Sequence, residues 1–178
     1  AGVYLWNPAT NDVRSYHHDD LKAGSLQTDQ VSALYVDEQN SLWVGLEGGG
    51  IDHITHPLSG GTAEFAHIGQ AEGLPSDMVY GFEADRQGNL WIATSHGLAR
   101  LHRASGRVLR FEEEQGAQNL DYNFGAHLQT KDGRIVLGGA GGLNYFQPAD
   151  VSVEQSVVPM VITDFEVNNR PAELPNSN

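Results

Sequence analysis

An internal repeat is the feature that most constrains how this chain can fold. The stretch "SLQTDQVSALYVDEQNSLWVG" lies over "GLPSDMVYGFEADRQGNLWIA" without a gap, which sets Trp43 on Trp91 at an offset of 48 residues. A third copy, "FGAHLQTKDGRIVLGGAGGLNYF", follows at an offset of 45 and puts Val136 on Trp91. The N-terminal "GVYLWNPATNDVRSY" matches the end of the second copy, "GLARLHRASGRVLRF", at an offset of 95. Repetition of this kind indicates one supersecondary unit that is stacked several times.

Each copy reads as four short strands. In the second copy, residues 79–84 and 90–94 flank the turn "DRQG", Gly97 breaks the chain, and 98–102 and 107–111 flank the turn "RASG". Four antiparallel strands in a repeat of about 40 to 50 residues are typical of a β-propeller blade. The predicted fold is therefore all-β, a partial β-propeller of about three and a half four-stranded antiparallel blades. The blades are predicted within residues 1–150: outer strands of a blade at 1–20, blades at 25–68 and 73–114, and a last blade at 120–148. Residues 155–178 are predicted to form a linker and the first strand of a β-sandwich.

The charge balance excludes several classes of partner. The chain has 178 residues, of which 23 are acidic and 10 basic, and its net charge of −13 would repel a phosphate backbone. We therefore expect no nucleic-acid partner. No stretch approaches the roughly 18 apolar residues of a membrane span, so we expect no direct membrane contact either. The absence of cysteine excludes disulfides and thiol nucleophiles.

The repeats also resemble a known family. "GLPSDMVYGFEADRQGNLWIATSHGLARL" is similar to the two-component regulator propeller repeat, and "NFGAHLQTKDGRIVLGGAGGLNYFQP" resembles the last blade of such propellers. The following "VPMVITDFEVNNRPAEL" is similar to the first strand of the triple-tyrosine sandwich that follows them. The resemblance implies the ligand-sensing portion of a membrane-bound, periplasmic sensor, whose output is a histidine kinase or a diguanylate cyclase. It also implies a small-molecule or oligosaccharide ligand, and the other blades and domains of the parent protein as partners.

Aromatic and histidine side chains supply the candidate ligand-binding residues. Trp43, Trp91 and Val136 occupy equivalent repeat positions, and we expect all three side chains to be largely buried. For the two tryptophans this favours packing between blades over stacking on a sugar. Trp6 has no tryptophan counterpart, and core packing is again the favoured interpretation. His127 stands where the other copies have leucine or phenylalanine, in the predicted innermost strand. It is therefore either a satisfied core histidine or a titratable group that faces the channel, and it joins Trp6 as a ligand-binding candidate.

The other histidine and acidic residues predict no metal site and no cofactor. "HHDD", residues 17–20, lies in a connection between blades, where adjacent side chains point in different directions and do not easily share one ion. His53 and His56 are three apart, so we expect them on opposite faces and in solvent. Glu112 to Glu114 indicate a solvated rim. The sequence contains no GxSxG or HExxH motif, and we expect no catalytic residue and no enzyme in this chain.

Two other function classes stay open. A metal-dependent propeller lyase or glycan-active enzyme carries a similar "D-x-x-G-x-x-W" string, and a structural propeller serves as a spacer or a dimer contact. About three and a half blades are fewer than the four to eight of closed propellers, so both ends should have uncovered faces. Uncovered faces and open edges favour association, and we therefore also expect a homodimer.

Overall fold

Four antiparallel sheets make up most of the described chain. The computed structural model describes residues 1–54, 64–118 and 121–152, together with the backbone of residues 166–167 and 170–171. In chain order the strands are β1 (Val3–Asn7), β2 (Asp12–Tyr16), β3 (Val31–Val36), β4 (Leu42–Leu46), β5 (Gly50–Ile54), β6 (Phe65–Ile68), β7 (Val79–Ala84), β8 (Asn89–Thr94), β9 (Gly97–His102), β10 (Arg107–Phe111), β11 (Tyr122–Gln129), β12 (Ile135–Gly139), β13 (Gly142–Phe146), β14 (Glu166–Val167) and β15 (Arg170–Pro171).

The strands pair in the order of the sequence. The sheets are β1-β2, β3-β4-β5-β6, β7-β8-β9-β10 and β11-β12-β13, with β14-β15 as a separate short pair. Two, four, four and three strands are the numbers that the repeat predicts, and the all-β fold of four-stranded antiparallel units is confirmed. We call the four sheets blade 0, blade 1, blade 2 and blade 3, in chain order.

The turn between the first two strands of each complete repeat needs a left-handed residue. That residue is Asn40 before β4 with a φ of 60°, Gly88 before β8 with a φ of 86°, and Gly133 before β12 with a φ of 88°. Glycine and asparagine adopt this conformation with the least strain. The turn residues of the repeat therefore fix where each hairpin reverses.

Apolar side chains are buried between successive blades. Val3 packs with Val44 and Ile54 between blade 0 and blade 1. Trp43 belongs to the core between blades 1 and 2, and Trp91 to the core between blades 2 and 3. Each blade thus covers the next one, which is how the sheets of a propeller stack.

The equivalent repeat positions have the predicted places but not all the predicted burial. Trp43 and Trp91 are 2% and 1% exposed, which confirms the expected packing between blades. Val136 has the same place in β12 but is partly exposed, because no further sheet of the described chain covers blade 3. The expectation of a largely buried side chain is therefore wrong for Val136.

Both ends of the stack expose apolar side chains. The two-stranded blade 0 does not cover Leu34 and Val36 of β3, which are 56% and 51% exposed. On the far face of blade 3, Leu128, Leu143 and Tyr145 are all more than half exposed. No further sheet of the described chain covers these two faces.

Helical structure plays a small part in the described chain. It consists of 3-10 turns at Gln70–Glu72, Glu113–Gln115 and Pro148–Asp150. None of the described helices is long and apolar enough to cross a membrane. Most of the range 155–178, where we expect a linker and the first strand of a sandwich, lies outside the described residues.

Candidate functional site

A buried carboxylate organises the first turn of blade 2. Asp85 is 6% exposed, and its Oδ1 accepts hydrogen bonds from the backbone N–H groups of Gln87 (2.8 Å) and Asn89 (2.9 Å). Its Oδ2 accepts from Nδ2 of Asn89 (2.8 Å) and from Nε1 of Trp91 (2.9 Å). Burial disfavours the ionised form, but these hydrogen bonds outweigh burial and hold the pKa of Asp85 below its usual value.

The same unit recurs in blade 1 and changes in blade 3. Oδ2 of Asp37 accepts from Nε1 of Trp43 (3.1 Å), and its Oδ1 accepts from two N–H groups of the turn. In blade 3, Thr130 takes the place of the aspartate and valine that of the tryptophan, so no indole N–H needs an acceptor. The aspartate and tryptophan of the "D-x-x-G-x-x-W" string are therefore one structural unit. Sequence reasoning aligned Asp37 with Asp85 but missed this role.

Each buried tryptophan carries a cationic or aromatic partner on the adjacent strand. The imidazole of His53 stacks on Trp43 with ring centroids 3.8 Å apart and planes 17° apart. In blade 2, the guanidinium of Arg100 lies 5.5 Å from the centroid of the Trp91 ring. The expectation that His53 lies in solvent is wrong, because it pairs with Trp43 across β4 and β5, and burial lowers its pKa. His56 lies outside the described residues.

A polar cleft of about 490 Å³ opens between the turns of blades 1 and 2. Arg103 forms one wall, with Nη1 3.1 Å from Oε2 of Glu38 and its guanidinium 5.3 Å from the centroid of the Tyr35 ring. The His53 and Trp43 pair also lines the cleft. Further lining side chains supply amide, hydroxyl, guanidinium and imidazole groups: Gln39, Ser41, Arg86, Gln87 and His102. A concave site with converging polar groups of this kind can bind a polar small molecule.

His127 lies between the inner strands of blades 2 and 3. Its Nδ1 is 2.9 Å from Oε1 of Glu83, and the two side chains are 25% and 21% exposed. The imidazole lies against Gly81 in β7, where a Cβ atom would overlap the ring. The glycine therefore allows the close approach of β11 to β7. The structure places His127 in a partly exposed, paired contact between blades, and its role as a ligand-binding candidate stays a prediction.

Trp6 lies on the surface of blade 0. Its side chain is 60% exposed, and Nε1 donates a hydrogen bond to Oδ1 of Asn11 (3.3 Å). The interpretation of Trp6 as a core residue is wrong, because within the described chain no sheet covers the far face of blade 0. Tyr4 is also 60% exposed and shares this face, since strand side chains alternate. The two rings form an exposed aromatic patch.

The "HHDD" segment does not converge on one point. Nε2 of His18 is 2.9 Å from Oδ1 of Asp20, whereas Nδ1 of His17 is 3.7 Å from Oδ1 of Asp29 in another direction. Within residues 1–54, 64–118 and 121–152, no three histidine or acidic side chains come together in a way that could hold a metal ion. Glu112 to Glu114 begin a 3-10 turn at the end of β10 and are exposed.

A family model matches the segments that contain the aspartate and tryptophan units. The two component regulator propeller family model matches residues 25–48 and 73–96. Each match covers a connection between blades and the first two strands of a blade, β3-β4 and β7-β8. Both matches contain the aspartate and tryptophan unit described above.

Three similar proteins are much longer than this chain. Histidine kinase P4 of Formosa agariphila is 24% identical over 95% of the chain, which spans 16% of that protein. The extracellular domain of a hybrid two component system from B. thetaiotaomicron is 24% identical with a TM-score of 0.67, over 83% of this chain and 19% of that one. PorZ, a surface component of the type-IX secretion system of Porphyromonas gingivalis, is 20% identical with a TM-score of 0.55, over 78% of this chain and 20% of that one.

At these identities the solved structures show the fold, and they confirm the predicted partial β-propeller. The predicted family resemblance is confirmed as well, by the two matched segments and by the histidine kinase relative. The chain is therefore a stack of propeller blades, in which residues 25–48 and 73–96 match two component regulator propeller repeats.

Proposed function

We propose that this chain is part of the ligand-sensing, extracytoplasmic portion of a membrane-anchored two-component regulator, and that it lies in the periplasm. The observation that carries the proposal is that two repeats of the regulator propeller family coincide with the inner strands of two consecutive blades. The relation to a histidine kinase and to an extracellular two component domain supports it. The chain spans less than a quarter of these relatives, so an output module such as a kinase belongs to a longer parent protein.

The proposed ligand is a small oligosaccharide. An oligosaccharide presents many hydroxyl groups as well as ring faces. Two features of the described chain suit such a ligand. The cleft beside Arg103 offers converging donors and acceptors over about 490 Å³. In the isolated chain, the patch of Trp6 and Tyr4 also offers exposed aromatic faces. The chain supplies binding and no catalysis in this proposal, and it needs no metal.

The proposed partners cover the open end faces. Leu34 and Val36 at one end, and Leu128 and Tyr145 at the other, are apolar and exposed. Further blades of the parent protein would bury these side chains as blade 2 buries Trp43. In the isolated chain, a second copy is the proposed substitute, which gives a homodimer.

Calorimetric titration of the chain with a panel of oligosaccharides, in the presence of a chelator, tests the proposal. We expect at least one oligosaccharide to bind without any change in its mass, and Gln87→Ala in the cleft or Trp6→Ala in the patch to weaken binding about tenfold or more. Leu143→Ala is the matched surface control and should bind as the unchanged chain does. Cleavage of the sugar that appears with added metal would favour the lyase class, and no binding to any sugar would favour a structural spacer.

A further inference from the structure

In blades 1, 2 and 3, side chains bind backbone carbonyl groups of the connection that leads into the blade. In blade 2, the outermost strand carries Arg110, whose Nε and Nη2 donate to the carbonyl oxygens of Gly73 (2.7 Å) and Leu74 (2.9 Å) in the connection before β7. In blade 3, Nδ2 of Asn144 donates to the carbonyl oxygen of Gly116 (2.6 Å) in the connection before β11. Both donors carry their protons throughout the physiological pH range.

Blade 1 uses a histidine at the position of that arginine. His67 in β6 faces Asp52 in β5, and Arg110 in β10 faces Ala99 in β9, at corresponding places in the strand registers. Nδ1 of His67 is 2.6 Å from Oδ1 of Asp52, and its Nε2 is 3.1 Å from the carbonyl oxygen of Ala23. Asp52 is fully buried, and its Oδ2 accepts the backbone N–H of Gln27 (2.8 Å).

A second histidine holds the same connection. Nδ1 of His18 is 2.6 Å from the carbonyl oxygen of Leu26, and its Nε2 is 2.9 Å from Oδ1 of Asp20. Leu26 aligns with Leu74, so its carbonyl oxygen corresponds to one that Arg110 binds in blade 2. We call His18, Asp52 and His67, with the backbone groups that they bind, the blade 1 clasp.

Both histidines have an acceptor oxygen at each ring nitrogen. A neutral imidazole has one N–H and can donate to one of its two acceptors, whereas the imidazolium donates to both. The four bonds of His18 and His67 are therefore complete only when both rings are protonated. Loss of either proton turns one of these contacts into two facing lone pairs.

The acceptors around His18 favour its protonated ring. The hydrogen bond to the Leu26 carbonyl and then that to Asp20 raise the pKa of His18 above 6.5. Burial raises the pKa of Asp52, while the bonds from His67 and Gln27 oppose that rise. The other titratable side chains of the connection and of the strand beside it are His17, Asp19, Asp20, Lys22, Asp29 and Glu64.

We propose that the blade 1 clasp is a pH-dependent latch that fastens residues 17–29, the connection into the inner strand β3, in acid and releases it above neutral pH. The sign follows from the protonation states. A histidine with a raised pKa stabilises the fold fully below about 6.5, and that stabilisation is lost as the pH rises through its value in the folded protein. Arg110 and Asn144, which bind the connections of blades 2 and 3, do not titrate in this range, so these contacts should not respond.

Hydrogen exchange of the 178-residue chain, followed peptide by peptide at pH 5.5 and pH 8.0, tests the latch. Protection is corrected for the intrinsic pH dependence of exchange, and residues 69–78 of the blade 2 connection serve as the internal control. We expect the protection of residues 17–29 to fall about tenfold at the higher pH, the factor for one lost charge-assisted hydrogen bond. Residues 69–78 should keep their protection. Equal protection of residues 17–29 at both pH values, or an equal fall in both connections, would overturn the proposal.

A variant transfers the blade 2 arrangement into blade 1. The triple change His18→Gln, Asp52→Ala and His67→Arg removes both imidazole rings and reproduces the Ala99 and Arg110 pair. We expect residues 17–29 of this variant to have the same protection at both pH values. A fall that persists in this variant would show that other groups cause it and would refute the latch. If the variant does not fold, the comparison of the two connections in the unchanged chain still decides.

Discussion

Replacing Asp85 by asparagine tests whether the buried carboxylate organises blade 2. The two oxygens of Asp85 accept four hydrogen bonds, two at each atom. Asparagine has one acceptor oxygen and one NH₂ group, which is a donor. In either orientation, two of the four donors would therefore face another donor. An unsatisfied buried polar group costs about 1–3 kcal/mol, so we expect Asp85→Asn to lower the free energy of unfolding by about 3–5 kcal/mol.

Urea denaturation followed by tryptophan fluorescence and by circular dichroism measures this loss. Asp132→Asn is the matched control, because Asp132 is 62% exposed in a turn of blade 3 and makes a surface ion pair with Arg134. That change should alter stability by no more than about 0.5 kcal/mol. A loss below about 1 kcal/mol for Asp85→Asn would refute the reasoning, since it would mean that the turn finds other acceptors for its donors.

Three further predictions concern the packing between blades and its pH dependence. Trp91→Ala should cost about 3–5 kcal/mol in denaturation experiments, and Val136→Ala about 1 kcal/mol, because blade 3 leaves the valine partly exposed; equal losses would contradict the assigned burial. Gly81→Ala should cost about 1–3 kcal/mol through overlap with the imidazole of His127, and adding His127→Ala should recover part of that loss; no recovery would mean that the ring is not the obstacle. The pKa of Asp85 is depressed in the folded chain, so the stabilisation by its carboxylate should be present above pH 3.8 and disappear as the pH falls through the pKa of the folded protein. Acid unfolding curves of Asp85→Asn should therefore be less steep than those of the unchanged chain.

The repeat was enough to predict the architecture. It fixed four strands per unit, the order of the sheets and the equivalence of Trp43 and Trp91, because each follows from the alternation and the turn residues of a single unit. The burial of a side chain depends also on what lies across from it. Val136 and Trp6 therefore differ from expectation, since both lie on blade faces that no sheet of the described chain covers.

The side-chain partners of the candidate residues were harder to predict. His53 reads as a surface histidine because its cross-strand neighbour is decided by the register of β4 and β5, which a one-residue difference in loop length shifts. His127 reads as an unusual core residue because its partners, Glu83 and Gly81, lie more than 40 positions away on another blade. The pairing of Asp85 with Trp91 had a visible signal, the exchange of both residues together in blade 3.

The central claim is that this chain is a stack of propeller blades, and that its apolar end faces associate with further blades or with a second copy. Size-exclusion chromatography coupled to light scattering, over a range of micromolar concentrations, tests it most directly. We expect dimers or larger assemblies that become smaller when Leu34→Ser and Tyr145→Ser add polar groups to the two exposed faces. A monomer at every concentration, with a single cooperative unfolding transition, would contradict the claim, because it would show that the end faces need no partner.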